Sequence, residues 1–385
     1  MPLRNIIGPS RATVRRAVPV ALAAASMLAA SLAAAPVAGA HTSPAGRTAA
    51  AVAGSTAKVM SQQATLAYWT RARLRAAKPA DIALTGKPRV RPASVHPVRI
   101  GKPGSVPGAF PGGRAAAADL WAAAVSPAYT YPYPYDSFTP NQKSWKTYPY
   151  DVNGKLFFTN DGTNYVCSGS SVASASGTTD ENEVWTAGHC LVNTEENDQG
   201  VDTSAVFIPA YNGNAAKKKY YAPFGEFTWN GGWETSGPWY NSRDLTEDEA
   251  AMTVDNSDRF KKDTLGDTVG YEGFAWNEAV DEQFVAFGYP EAAPYNGLNL
   301  IEDIASTAGQ DAISGGADPT EPIVIGNPMT GGASGGAWDI DWTDTGPGDI
   351  NGHNDYFYGS EPLALYSPYQ DTTSNDVRCF GATTC

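Results

Sequence analysis

Val184-Trp185-Thr186-Ala187-Gly188-His189-Cys190 and Gly331-Gly332-Ala333-Ser334-Gly335-Gly336-Ala337-Trp338 are the two stretches whose reading decides the fold. The first is a short apolar strand ending in a tight turn that delivers a histidine. The second sets a serine between glycines, which let the backbone turn sharply and bring amide N–H groups close to a ligand oxygen. The chain has only 4 histidines, and His41 and His96 lie in a basic N-terminal region. Any histidine base in the folded body is therefore His189 or His353. Between the two stretches, Asp248 stands in Glu247-Asp248-Glu249-Ala250-Ala251-Met252-Thr253-Val254, at the head of an apolar strand. A serine hydroxyl is a poor nucleophile until a neutral histidine takes its proton, and a buried aspartate must orient that histidine. Asp244 competes for the acid's place, but only Asp248 leads directly into a run of small and apolar residues.

Outward from these stretches, Leu156-Phe157-Phe158, Ala205-Val206-Phe207-Ile208-Pro209 and Phe284-Val285-Ala286-Phe287 read as short strands. Clusters of Gly, Asn, Asp and Pro separate them, and no long amphipathic helix interrupts the series. The expectation for residues 151–385 is an all-β sandwich or barrel, without internal repeats.

Charge divides the chain. Residues 1–120 hold 16 basic and 2 acidic residues, a balance of +14, while residues 121–385 hold 11 basic and 38 acidic ones, a balance of −27. An acidic folded body speaks against nucleic acid as a partner. Residues 1–40 read as a secretory signal: Arg4, Arg11, Arg15 and Arg16 precede an Ala-rich run that ends in Ala38-Gly39-Ala40. No other stretch is long and apolar enough for a membrane span, so the protein is expected to be secreted, with no membrane partner. Residues 41–124 form a basic Ala/Pro/Arg-rich arm, with one amphipathic helix predicted over Ser55–Ala77. Its few apolar groups cannot offset its ordering entropy, so it is either a linker or a prosegment that folds only against the acidic body, and the attraction of opposite charges favours the prosegment. Residues 125–150 are a Tyr/Pro-rich junction expected to lie extended along that body.

All 4 cysteines, Cys167, Cys190, Cys379 and Cys385, fall in the acidic body, and an exported chain reads them as disulfides. Spacing alone leaves three pairings open. No Cys-x-x-Cys pair is present and histidine is scarce, so a zinc site is not expected. The acid-rich stretch 339–355 does not fit an EF-hand loop. No cofactor is implied.

Thr186-Ala187-Gly188-His189-Cys190, followed by Gly332-Ala333-Ser334-Gly335-Gly336 in the order His, Asp, Ser, resembles the chymotrypsin/trypsin superfamily of serine endopeptidases. Val206-Phe207-Ile208-Pro209-Ala210-Tyr211 and Tyr366-Ser367-Pro368-Tyr369 make it most similar to secreted bacterial glutamyl-endopeptidase-like peptidases, over about residues 151–385. The resemblance implies two antiparallel β-barrels, 151–265 and 266–385, with the site between them. It implies His189, Asp248 and Ser334 as catalytic triad, the N–H groups of Gly332 and Ser334 as oxyanion hole, and a Cys167–Cys190 disulfide, leaving Cys379 with Cys385. Substrates would be proteins or peptides, and the arm would make the enzyme a zymogen. Ala333 replaces the aspartate that trypsin-like enzymes pair with a new N-terminus. Pro328 and Met329 stand where basic or acidic specificity would be read. An uncharged pocket lined by Met329 and Thr330 is therefore expected, with His353 as a further substrate-contact candidate. Two other readings remain: an esterase using Gly332-x-Ser334-x-Gly336 as a nucleophile elbow, and a non-catalytic binding module on a protease fold.

Overall fold

Asp161 and Gly162 both adopt positive φ, 47° and 68°. Such a two-residue turn matches the twist of the strands it joins, and it makes Asn153–Asn160 (β1) and Thr163–Ser171 (β2) a hairpin. Glu183–Thr186 (β3), Ala205–Pro209 (β4), Phe227–Ser236 (β5) and Ala250–Val254 (β6) complete a sheet that closes on itself. Its ladder runs β1, β2, β3, β6, β5, β4 and back to β1, antiparallel throughout. Leu156, Val184, Phe207, Phe227, Trp229 and Met252 fill the interior. Alternate residues on the outside, Phe157, Val166, Val206 and Ile208, are buried as well, in a second cluster that includes Trp69 and Leu74 of the arm. Burial of both faces explains why these strands read as continuous apolar runs.

The computed structural model describes residues 51–55, 59–92, 101–112, 114–115, 133–140, 145–175, 182–192, 204–260, 263–314 and 320–380. All of them lie in the unit Thr48–Cys385. The signal segment 1–40, His41, His96 and Cys385 fall outside the described residues.

A second sheet is built from Gly273–Trp276 (β7), Gln283–Gly288 (β8), Ile301–Asp311 (β9), Ile323–Gly326 (β10), Ala337–Ile340 (β11), Asp349–His353 (β12), Tyr356–Tyr358 (β13) and Ala364–Ser367 (β14). Its order is β13, β14, β10, β9, β8, β11, β12, β7, and only the β12–β7 pair is parallel. Phe284, Ala305, Ile325, Trp338 and Leu365 lie in its core. A closed barrel beside a second sheet is the all-β architecture that the resemblance implies. The body's ladders are antiparallel but for the β12–β7 pair, and among the described residues no helices alternate with the strands as the esterase reading requires.

The described part of the arm adds strands to edges of the body. Ala51–Ser55 pairs with β5, Lys78–Pro79 with β2, Ile82–Leu84 with β13, Val90–Pro92 with β9 and Gly104–Val106 with β7. In the Tyr/Pro junction, Tyr135–Phe138 pairs with β9. The helix predicted over Ser55–Ala77 is two helices, Gln62–Tyr68 and Arg71–Ala76, after a strand that ends at Ser55. Ser61 and Thr70 cap their N-termini with side-chain oxygens. The break lets Trp69 turn inward, 1% exposed, with its Nε1–H donating to Ser204 Oγ at 2.9 Å.

Candidate active site

The barrel register brings the histidine and the aspartate together. In the β3–β6 ladder Thr186 faces Ala250, so the residues just beyond each strand meet at the same end. There the His189 backbone N–H donates to Asp248 Oδ1 at 2.7 Å, and His189 Nδ1 lies 2.9 Å from Asp248 Oδ2. Gly188 must be glycine, because a Cβ there would stand 2.6 Å from the Trp239 ring and 2.7 Å from Asp248 Oδ1. Asp248 is fully buried. Asp244 is exposed, and its carboxylate accepts from the Thr246 N–H and hydroxyl, capping the turn Leu245–Glu247.

A disulfide joins Cys190 to Cys167 and fixes the histidine turn to β2. Cys379 is also disulfide-bonded. β2 carries the serine loop too: the Ser168 N–H donates to Ser334 O at 2.7 Å, and Ser168 Oγ–H donates to Gly332 O at 2.9 Å. Gly331 O accepts from the Glu291 and Ala292 N–H groups, and Ala333 O accepts from Asn354 Nδ2 at 3.2 Å. With all four carbonyls held, and Gly332 and Gly335 at φ 97° and 80°, the loop has a single shape. Among the described residues, none accepts a hydrogen bond from the N–H of Gly332 or Ser334, so both remain available as donors.

The third sheet-end segment, His353-Asn354-Asp355, stitches the parts together. His353 Nε2–H donates to the Asp248 carbonyl at 2.8 Å. Its imidazole is pushed down to about 4 by burial, which the nearby Asp248 only partly offsets, so the ring is neutral. This placement corrects the expectation for His353: it is fully enclosed behind the acid and does not face a substrate. Met329 is buried in the core of the second sheet, and Thr330 Oγ1–H donates to Ala292 O at 2.6 Å. Asp355, which no motif indicated, lies with Oδ1 3.4 Å from His189 Nδ1.

His189, 7% exposed at its side chain, sits in opposing influences. Burial pushes its imidazole down, while the neighbouring Asp248 outweighs that and raises it to about 10. Its Nε2 is 3.0 Å from the carbonyl oxygen of Ala80, a residue of the arm. Among the described residues, Ser334 Oγ makes no hydrogen bond to His189. The next arm residue, Asp81, has its carboxyl against Gly331, where any Cβ would strike it. Beside His189 a cavity of about 460 Å³ is lined by Ala80, Phe158, Tyr165, Trp239 and Leu245 among others. His189, Asp248 and Asp355 each offer a ligand atom within 4.8 Å of the others, but the sulfurs of Cys167 and Cys190 are already spent on each other.

The chain is similar to protease Anisep from Arthrobacter nicotinovorans, with 32% identity, a TM-score of 0.51, and coverage of 61% of this chain and 96% of that one. The chain belongs to the chymotrypsin-fold serine proteases. It is similar also to the thermostable serine protease AL20 from an extremophilic microorganism, at 28% identity and TM-score 0.51, covering 61% of this chain and 98% of that one. A Glu endopeptidase matches at 17% identity and TM-score 0.45. No protein-family model matches the protease, and no curated protein does. Among the described residues, no helix is long and apolar enough to cross a membrane.

Proposed function

We propose that this protease is a secreted endopeptidase that cuts proteins or peptides through an acyl-enzyme, and that residues 41–124 hold it as a zymogen. In this reading Ser334 attacks the scissile carbonyl and His189 takes its proton. Asp248 holds the imidazole by Nδ1 and stabilises the imidazolium, and the N–H groups of Gly332 and Ser334 receive the oxyanion. The observation that carries it is the Nδ1–Oδ2 bond of 2.9 Å between His189 and a fully buried Asp248, in a protease of this family. A kept pair of this kind also argues against a non-catalytic module. Pro328, Met329 and Thr330 carry no charge, which supports an uncharged specificity pocket.

Zymogen status is supported by proton logic. A carbonyl oxygen only accepts, so the contact with Ala80 requires a proton on Nε2. Nδ1 faces a carboxylate and carries a proton as well. An imidazolium protonated at both nitrogens cannot accept the proton of Ser334. The likenesses to Anisep and AL20 each leave 39% of this chain uncovered, consistent with a segment outside the protease body. Incubating the purified full chain, sequencing the N-terminus of its processed form and assaying peptide cleavage before and after tests the reading. Full activity with the arm attached and bound would contradict it.

A further inference from the structure

Two carboxyl groups, not one, face Nδ1 of His189. Asp248 Oδ2 is 2.9 Å away and Asp355 Oδ1 3.4 Å away, and both residues are fully buried. Two ionised carboxylates side by side in a dry site repel strongly, so one of them keeps its proton. The hydrogen bonds say which. Asp248 accepts from the His189 backbone N–H on one oxygen and from Nδ1–H on the other, so it has the donors that an anion needs. Neither oxygen of Asp355 receives a donor of good geometry among the described residues.

We propose that Asp355 is a positioning residue of the catalytic site: a neutral carboxylic acid whose O–H donates to the Asp248 carboxylate and fixes the rotamer in which Asp248 grips His189. The inference rests on the serine-peptidase reading of the same site. Burial first, then the charge of Asp248, pushes the Asp355 carboxyl well up, in agreement with the donor count.

The backbone around Asp355 suits this role. Its N–H donates to Tyr366 O at 3.0 Å, anchoring it to β14. Of its immediate predecessors, His353 holds the Asp248 carbonyl, and Asn354 accepts from the Gly335 N–H and donates to Ala333 O on the serine loop. Three consecutive residues thus touch the acid, the serine loop and the histidine. The titratable groups facing Asp355 are His189, Asp248, His353 and Tyr356, with Asp81 and Arg243 at the edge of the site.

The test uses the processed protease, with active sites counted by fluorophosphonate labelling, and compares wild type, Asp355→Asn and Asp355→Leu. Asparagine keeps a donor and no charge, whereas leucine has similar shape and no donor. Asp355→Asn is expected to hold kcat within about fivefold and the acid limb of kcat/KM within about half a pH unit. Asp355→Leu is expected to lower kcat about 10–100-fold at unchanged KM, the usual scale for a lost supporting bond. An acid limb moved down by a full unit in Asp355→Asn would overturn the proposal, because it would make Asp355 an ionised counter-ion. Wild-type kcat in a folded Asp355→Leu would overturn it as well. If Asp355→Leu fails to fold, the Asn limb alone decides. Absence of labelling in the wild type would instead refute the serine-peptidase reading.

Discussion

The carbonyl oxygen of Ala80 lies 3.0 Å from Nε2 of His189, so the arm occupies the atom that accepts the serine proton in the proposed mechanism. The chain is pinned on either side of that contact. The Ala80 N–H donates to Val166 O at 3.1 Å, and Ile82–Leu84 pairs with β13. The barrel edge and the second sheet are thus bridged by one arm segment that crosses the histidine.

That contact has a spectroscopic consequence. In the full chain, His189 is expected to show two ring N–H protons at pH 8, since its imidazole is raised to about 10, mainly by Asp248, against the effect of burial. Nitrogen chemical shifts of labelled histidine check it. A neutral ring at pH 8 with the arm in place would remove the proton-based account of inhibition.

Opposite net charges on arm and body alone would make docking salt-sensitive, but the contacts are of another kind. Arg71 Nη1 donates to Tyr211 OH at 2.7 Å, Nη2 donates to the carbonyls of Gly213 and Ala215, and the guanidinium lies 4.5 Å from the Tyr221 ring centre. Trp69 and Leu74 supply apolar burial. Removing a buried Trp costs about 3–5 kcal/mol, so Trp69→Ala should weaken inhibition of the processed protease by a peptide spanning 59–92 by at least about 100-fold. Raising salt from about 50 to 500 mM should change that inhibition less than about threefold. A stronger salt effect, or an unchanged inhibition constant for the variant, would count against this docking mode.

Asp248 and Asp244 separate cleanly. Asp248→Asn should lower kcat by roughly 10⁴ with little change in KM, because the amide favours the wrong imidazole tautomer. Asp244→Asn loses a cap on an exposed turn and should alter kcat less than tenfold. Steady-state kinetics on the processed variants decide, and the opposite ranking would displace Asp248 from its role.

Stability should fall as pH rises. Burial, with Asp344 adding to it, raises Glu302 to about 8, and burial with Asp341 and Glu278 raises Asp349 to about 7. An acid raised in the folded state keeps its proton longer when folded. Its penalty is absent below about pH 4 and grows until the folded value is passed. His189 acts in the same direction: its stabilisation is complete below about 6.5 and is lost as pH rises through about 10. The melting temperature of the full chain is expected to drop by about 5–10 °C between pH 5 and 8.5, and less in Glu302→Gln. A melting temperature that climbs over that range would contradict this.

The histidine and aspartate were legible because each stands at a strand end, and antiparallel register makes strand ends meet. The serine loop was legible because its glycines are needed at positive φ. Asp355 was not. Its partner His189 is far away in sequence, and Gly352-His353-Asn354-Asp355 carries no pattern that distinguishes a buried acid from a surface turn. The crossing of the site by Lys78–Leu84 was hidden for a similar reason. A strand added to an existing edge is held by backbone hydrogen bonds, which leave little mark on side-chain choice. The single helix expected over 55–77 missed the inward turn at Trp69, whose indole finds Ser204 and Phe157 only in the folded body.

The most direct measurement is fluorophosphonate labelling followed by peptide mapping, on wild type and Ser334→Ala, before and after arm removal. The expected result is weak labelling of the full chain, strong labelling at Ser334 alone after processing, and none in Ser334→Ala. Peptide hydrolysis should fall about 10⁶-fold in that variant. Retained hydrolysis in Ser334→Ala, or a label on another residue, would contradict the assignment of this protease's nucleophile.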